Sequence, residues 1–239
     1  MSLPSGFGEF SLDGSFEGSD ERGHDKWWAR LEDYYYHKIA PEQQKMLFDG
    51  NENISYVVYV VSKFSGELGV KSDSYHPTIN AIAEHEPPVS FCLERGGKSI
   101  GSMVMLNSRI LAVDETLKAI IEKLEPDVHQ FFQIKIKRRN GEDYPNSYYT
   151  LVIGQYFDSF LPEQSEAFSF EKNGPMNYFH KENKAGVSGL AVSEAVFGNA
   201  HLWRERRMSF LLTCFSDKLI AEIIKAGLRI PKHYRMTEV

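Results

Sequence analysis

Hydrophobic and polar positions change period twice between Val113 and Ile153, and that stretch predicts one helix followed by two strands. Leu117, Ile120, Ile121 and Leu124 fall at i, i+3, i+4 and i+7, which is a single apolar stripe on a helix. Glu115, Lys118, Glu122 and Lys123 take its other faces. Asp114 stands at the N-cap position, where a carboxylate accepts an orphan backbone N–H and faces the positive end of the helix dipole. Pro126 forbids continuation. From Phe131 to Lys137 the period becomes two, with Phe132, Ile134 and Ile136 on one face and Gln133, Lys135 and Lys137 on the other, the mark of a half-buried strand. Turn residues at 139–142 follow. Tyr148 to Ile153 is continuously apolar or aromatic, as suits a central strand covered on both faces.

Elsewhere the pattern is less regular. Trp27, Leu31, Tyr34 and Tyr35 share a helical face within Trp27–Lys38. Ile54 to Lys63, ISYVVYVVSK, is dense in β-branched and aromatic residues and reads as a strand in a sheet interior. Val89–Leu93 and Ser99–Leu106 read as a hairpin across the glycine-rich turn at 94–98. Pro162–Asn183 reads as a long surface connection, and Val187–Phe197 fits either a short helix or a strand and turn. Ser209–Phe215 is a strand leading into a helix with Ser216 as N-cap, Leu219, Ile220, Ile223 and Ile224 as core positions and Gly227 at its end. Asp114-x-x-Leu117 and Ser216-x-x-Leu219 open their helices alike, a weak repeat of a helix and strand unit. The expected architecture is α+β, a mostly antiparallel sheet with helices packed on it. Three parts follow: an acidic leader over 1–25 that is flexible and adds little stability, a strand-rich part over 26–106, and an α+β part over 107–239 forming one compact domain with the second.

Composition narrows the function classes. A chain of 239 residues that is 42% hydrophobic can bury a sizeable core. Its formal charge of −6 gives little counterion-release affinity for nucleic acid. Residues 1–50 hold ten acidic against five basic side chains. The N-terminus lacks a secretory pattern and no run approaches a membrane span, so a cytoplasmic protein is expected. Cys92 and Cys214 have no metal or redox spacing and read as buried small hydrophobes.

Candidate chemistry is sparse. Gly97-Lys98-Ser99 matches the end of a phosphate loop, but Cys92 stands where the first glycine belongs and a strand follows instead of a helix. No two of the eight histidines are spaced i, i+4 as metal ligands from one helix face, and no G-x-S-x-G elbow occurs. The sequence thus offers no catalytic residue, cofactor site or metal site. His85, between Glu84 and Glu86 and before two prolines, reads as a solvated loop. His201, Trp203 and Arg204, in the segment HLWRERR, are the candidate partner-binding residues, since Arg beside Trp is enriched at binding hot spots. A charged edge strand is the ordinary alternative.

Several of these motifs occur together in a known order. Leu124-Glu125-Pro126 ends the capped helix, His129-Gln130-Phe131-Phe132 opens a strand, Tyr148-Tyr149 opens the next, and that one runs to Phe157-Asp158. His201-x-Trp203-Arg204 and then Ser216-Asp217-x-Leu219 with Gly227-Leu228 come later. Over Ser108–Ile230 the chain resembles immunity protein family eleven of bacterial polymorphic toxin systems, a family of uncharacterised domains. Gln133 stands where that family often has proline. The resemblance implies a non-catalytic protein that binds and neutralises a cognate toxin domain. Two readings compete with it: an enzyme with a scattered acid/base site using His129 or His201, and a structural or adaptor module of a secretion or phage-derived system.

Overall fold

The computed structural model describes residues 2–4, 11–12, 23–47, 55–66, 82–92, 100–106, 109–138, 140–173, 176–179, 189–208, 212–230 and 233–239. In chain order these form β1 (Ser2–Pro4), β2 (Ser11–Leu12), α1 (Gly23–Lys38), α2 (Pro41–Leu47), α3 (Tyr56–Ser65), β3 (Ser90–Cys92), β4 (Met103–Leu106), β5 (Leu111–Asp114), α4 (Glu115–Leu124), β6 (Gln130–Lys137) and β7 (Tyr148–Val152). There follow β8 (Tyr156–Phe157), a 3-10 turn at Pro162–Gln164, β9 (Phe170–Asn173), β10 (Met176–Phe179), β11 (Ala191–Val192), α5 (Glu194–Phe197), β12 (Leu202–Glu205), β13 (Leu212–Phe215), α6 (Asp217–Lys225), β14 (His233–Arg235) and β15 (Thr237–Glu238).

The class is α+β, and the sheets are mixed. One sheet has six strands in the order β2-β4-β5-β7-β6-β3, and a second has five in the order β14-β1-β13-β12-β8. Both have antiparallel centres, whereas β2 on β4, β3 on β6 and β8 on β12 are parallel edge pairings. The expected mostly antiparallel sheet is therefore corrected at its edges. The hairpin expected over 89–106 is absent, since β3 and β4 lie on opposite sides of the six-stranded sheet; its turn, 94–98, lies outside the described residues.

β7 explains how the layers stack. Tyr148 and Val152 point into one core with Trp27, Leu31, Val57, Val60, Phe64, Ile134 and Ile136, so α1 and α3 cover that face. Leu151 and Ile153 point into a second core with Leu117 and Ile121 of α4, Leu219 and Ile223 of α6, and Leu202 and Phe215 of the five-stranded sheet. Alternation along β7 thus puts both faces out of water, as its unbroken apolar run requires. A third core, around Phe160, Val192, Phe197, Trp203 and Cys214, covers the far face of the five-stranded sheet. Both cysteines are buried thiols.

The two amphipathic helices form as their stripes predict. Asp114 accepts the Leu117 N–H at 2.8 Å and Ser216 accepts the Leu219 N–H at 3.1 Å. Leu117 and Ile121 are buried, with Ile120 and Leu124 half-buried against the same core. α4 leads into β6 of the six-stranded sheet and α6 into β14 at the edge of the other; the likeness of the two units is not shown to be a repeat. At the end of α6, Gly227 takes φ +65° while the Gly227 and Leu228 N–H groups bond the Ile224 and Ile223 carbonyls. Ile224, expected in the core, instead lies beside the stripe of Leu219 and Ile223 and faces solvent at 69% exposure. Asp114→Ala is expected to cost about 1 kcal/mol through loss of the cap, read as a lower urea midpoint with an unchanged slope.

Residues 55–66 depart most from the sequence reading: the predicted central strand is helix α3. Ser55 caps it by accepting the Val58 N–H, and Gly66 ends it with φ +77°. Tyr56, Val57, Tyr59, Val60 and Phe64 are buried, a helical spacing, while Val58 faces out. Burial on nearly all sides overrides the β-propensity of the valines. Among the described residues, the part over 26–106 carries helices α1 to α3 as far as Ser65 and short strands near its end. In the leader, β1 pairs with both β13 and β14, and β2 with β4, so two of its segments are docked. The surface connection over 162–183 contains the β9–β10 pair, and the undecided stretch before Phe197 is a strand followed by one helical turn.

Candidate functional site

The densest convergence of polar side chains lies where the two sheets meet. Glu125, at the C-cap of α4, is followed by Pro126 and by Asp127 with φ +59°, and this turn carries His129 back beneath the helix end. Glu125 Oε2 lies 2.8 Å from His129 Nε2, and both side chains are buried. The Gly154 N–H donates to His129 Nδ1 at 3.0 Å, which assigns the ring proton to Nε2, facing the carboxylate. Glu125 Oε1 accepts from Gln155 Nε2 at 2.6 Å and from the His201 backbone N–H at 2.6 Å. The His201 ring then meets Ser216 Oγ through Nδ1 at 2.8 Å.

Burial alone would push the Glu125 carboxyl up; the bonds from His129, His201 and Gln155 outweigh it and hold the group below its usual range. Burial also lowers the His201 imidazole, with the Glu125 charge opposing and Lys218 adding to the shift. A serine, two histidines and a carboxylate invite comparison with an acyl-transfer site, but the connections differ. Glu125 meets the backbone of His201 and not its ring, and Ser216 Oγ is already occupied as the α6 cap. The cluster ties α4, β6, the β7–β8 loop, β12 and α6 together, and its chemistry is that of a joint. Among the described residues, no group of three or more His, Cys, Asp or Glu side chains stands where it could hold a metal ion.

The three residues singled out from the sequence fall on or beside this joint, mostly inside. Trp203 is 0% exposed, stacked on Phe197 at 4.8 Å with Phe157 edge-on at 6.2 Å, and its Nε1 has no hydrogen-bond partner. Arg204 is buried and donates from Nη1 to Thr213 Oγ1 at 2.7 Å. His201 is half-buried. Alternation along β12 explains this: Leu202 and Arg204 face the α4–α6 side, Trp203 and Glu205 the third core, and both sides are covered. Of the segment's other cations, half-buried Arg206 makes a two-pronged pair with Asp158 at 3.0 and 2.8 Å, and exposed Arg207 donates from Nη1 to the Phe160 carbonyl at 2.8 Å.

Two further polar clusters lie apart from this joint, the first unforeseen from the sequence and the second misread there. Buried Glu205 accepts from the Ser159 N–H and Oγ, the Phe160 N–H and the Arg207 N–H at 2.6–3.1 Å. Burial pushes its carboxyl up to about 7 against the lowering effect of those bonds. A raised folded-state pKa means stability that is present below the unfolded value and lost as pH rises through the folded one. The stability advantage of the wild type over Glu205→Gln is therefore expected to be fully present below pH 4.5 and to shrink as pH rises from there through about 7; urea melts at several pH values measure it.

The second cluster corrects the expected solvated loop at 84–86. His85 stacks on Tyr34 at 3.4 Å and meets Tyr56 OH at 2.6 Å, while buried Glu86 pairs with Lys63 at 2.6 Å. Trp27 Nε1 donates to the Glu86 carbonyl at 2.7 Å, so the segment is clamped between α1 and α3.

No helix among the described residues is long and apolar enough to cross a membrane. None of the curated proteins matches the chain. The model of the immunity protein family (Imm11) matches residues 59–236, which takes in the elements from β3 to β14, with α4, α6 and every residue of the polar joint among them. The chain therefore belongs to the Imm11 immunity protein family.

Proposed function

We propose that this protein binds a cognate secreted toxin domain of a bacterial polymorphic toxin system and neutralises it stoichiometrically, without turnover, in the cytoplasm of the cell that makes it. The observation carrying this reading is the family match over residues 59–236. The polar joint supports it, because the side chains best suited to acid/base work are engaged in holding two sheets together. The net charge of −6 suits a basic partner, whose approach it would accelerate.

Growth of cells expressing the toxin domain encoded by the neighbouring gene, with and without this protein, tests the proposal. Protection that rises with the amount of this protein is expected. Absence of protection at comparable expression, with no complex on co-purification, would overturn it.

A further inference from the structure

The segment leading into β3 is wedged between two helices, and a histidine sits at the wedge. Tyr34 of α1 stacks on the His85 ring with centroids 3.4 Å and planes 11° apart, and Tyr35 of α1 stacks on Tyr56 of α3 at 5.3 Å. Tyr56 in turn puts its Oη 2.6 Å from His85 Nε2 and 3.4 Å from Glu86 Oε1. That carboxylate is already engaged: Lys63 Nζ of α3 lies 2.6 Å from Oε1, and the Ala83 N–H donates to Oε2 at 2.8 Å. Arg30 of α1 donates to the Pro87 carbonyl, and Glu84, on the other side of His85, is exposed. α1 lies outside residues 59–236 whereas His85 and Glu86 lie inside, so these contacts fasten a helix beyond the family match to the domain within it.

The two distances from Tyr56 fix which way the hydrogen bonds run. Burial, and after it the Glu86 charge, raises the Tyr56 phenol above its usual value, so the hydroxyl keeps its hydrogen. That hydrogen goes to the nearer acceptor, which leaves His85 Nε2 bare and places the ring proton on Nδ1. A solvent proton arriving at Nε2 reverses the order. The imidazolium becomes the donor and Tyr56 Oη its acceptor. Among the described residues the Tyr56 hydrogen then has Glu86 Oε1 to turn to, at a distance where a hydrogen bond is weak and on an oxygen that Lys63 occupies. Burial also lowers the His85 imidazole below its usual value, with Glu86 opposing and Lys63 and Arg30 adding to the shift.

We propose that His85 is an acid-sensitive latch: neutral, it holds α1 on α3 through the Tyr34 stack and the Tyr56 bond, and protonated, it loosens that clamp. A depressed folded-state value means stability that is fully present above the ordinary imidazole value of about 6.5 and lost as pH falls through the folded one. The latch is a property of this chain alone and stands or falls apart from toxin binding.

The test uses the full chain without a partner. Urea unfolding is followed between about pH 8 and about pH 5 for the wild type and for His85→Phe, which keeps a ring against Tyr34 and takes no proton; their difference cancels Glu205 and the other histidines. The wild-type advantage is expected to hold on the alkaline side and to shrink on the acid side. In hydrogen exchange, the α1 amides should lose protection on acidification relative to those of α4 in the wild type, and not in His85→Phe. An advantage that is independent of pH or grows in acid would overturn the latch, as would equal loss of protection in α1 and α4. Should His85→Phe fail to fold, the wild-type ring decides. Its nitrogen chemical shifts are expected to show the Nδ1–H form and a titration on the acid side of that of an unstructured histidine peptide. An Nε2–H form, or a titration at or above the peptide's, would overturn the proposal.

Discussion

Trp203→Ala is expected to lower unfolding free energy by about 3–5 kcal/mol, among the largest single losses available in this chain. The indole is wholly buried, stacked on Phe197 and met edge-on by Phe157, on a strand held on both sides by β13 and β8. Removing it opens a cavity that β-strands on either side cannot collapse to fill. Its Nε1 makes no hydrogen bond, so the loss is one of packing. Trp203→Phe should recover a good part of it. Were Trp203 a contact residue instead, the alanine variant would melt like the wild type and fail only to bind.

Glu125→Ala should cost a similar ~3–5 kcal/mol by a different route. The carboxylate accepts from His129 Nε2, Gln155 Nε2 and the His201 N–H, and truncation leaves all three donors near a desolvated void. Each such orphan costs about 1–3 kcal/mol, partly relieved by water entering from the half-buried His201 side. Glu125→Gln keeps the shape but turns an N–H₂ toward one of the donors, so an intermediate loss is expected. The readout separating a joint from a catalytic acid is neutralisation of the toxin at a temperature where the variant stays folded. A joint predicts full neutralisation there, and a catalytic acid predicts none.

Which parts of this were legible in sequence follows from where each residue sits relative to water. The α4 stripe, its Asp114 cap, the alternation of β6 and the centrality of β7 could be read because each element meets solvent or core in a regular rhythm. Residues 56–65 lost that rhythm. With Val58 the one exposed position in α3, nearly every position tolerates an apolar side chain, and period no longer separates helix from strand. HLWRERR misled in the opposite sense. Its charges read as surface, yet Arg204 and Glu205 lie inside with partners supplied by Thr213, Ser159 and Phe160. The joint itself was invisible because its members are far apart in the chain, with Glu125 and His201 separated by 76 positions. What the family resemblance marked as separate motifs, at Glu125, His129, His201 and Ser216, the fold brings to one place.

The central claim is stoichiometric capture, and calorimetric titration of the purified toxin domain with this protein, followed by assay of residual toxicity, tests it most directly. The account predicts a sharp endpoint at a fixed ratio of the two proteins, with toxicity abolished at that ratio and unaffected by longer incubation. Absence of binding heat, or loss of toxicity at strongly substoichiometric amounts that deepens with time, would contradict it.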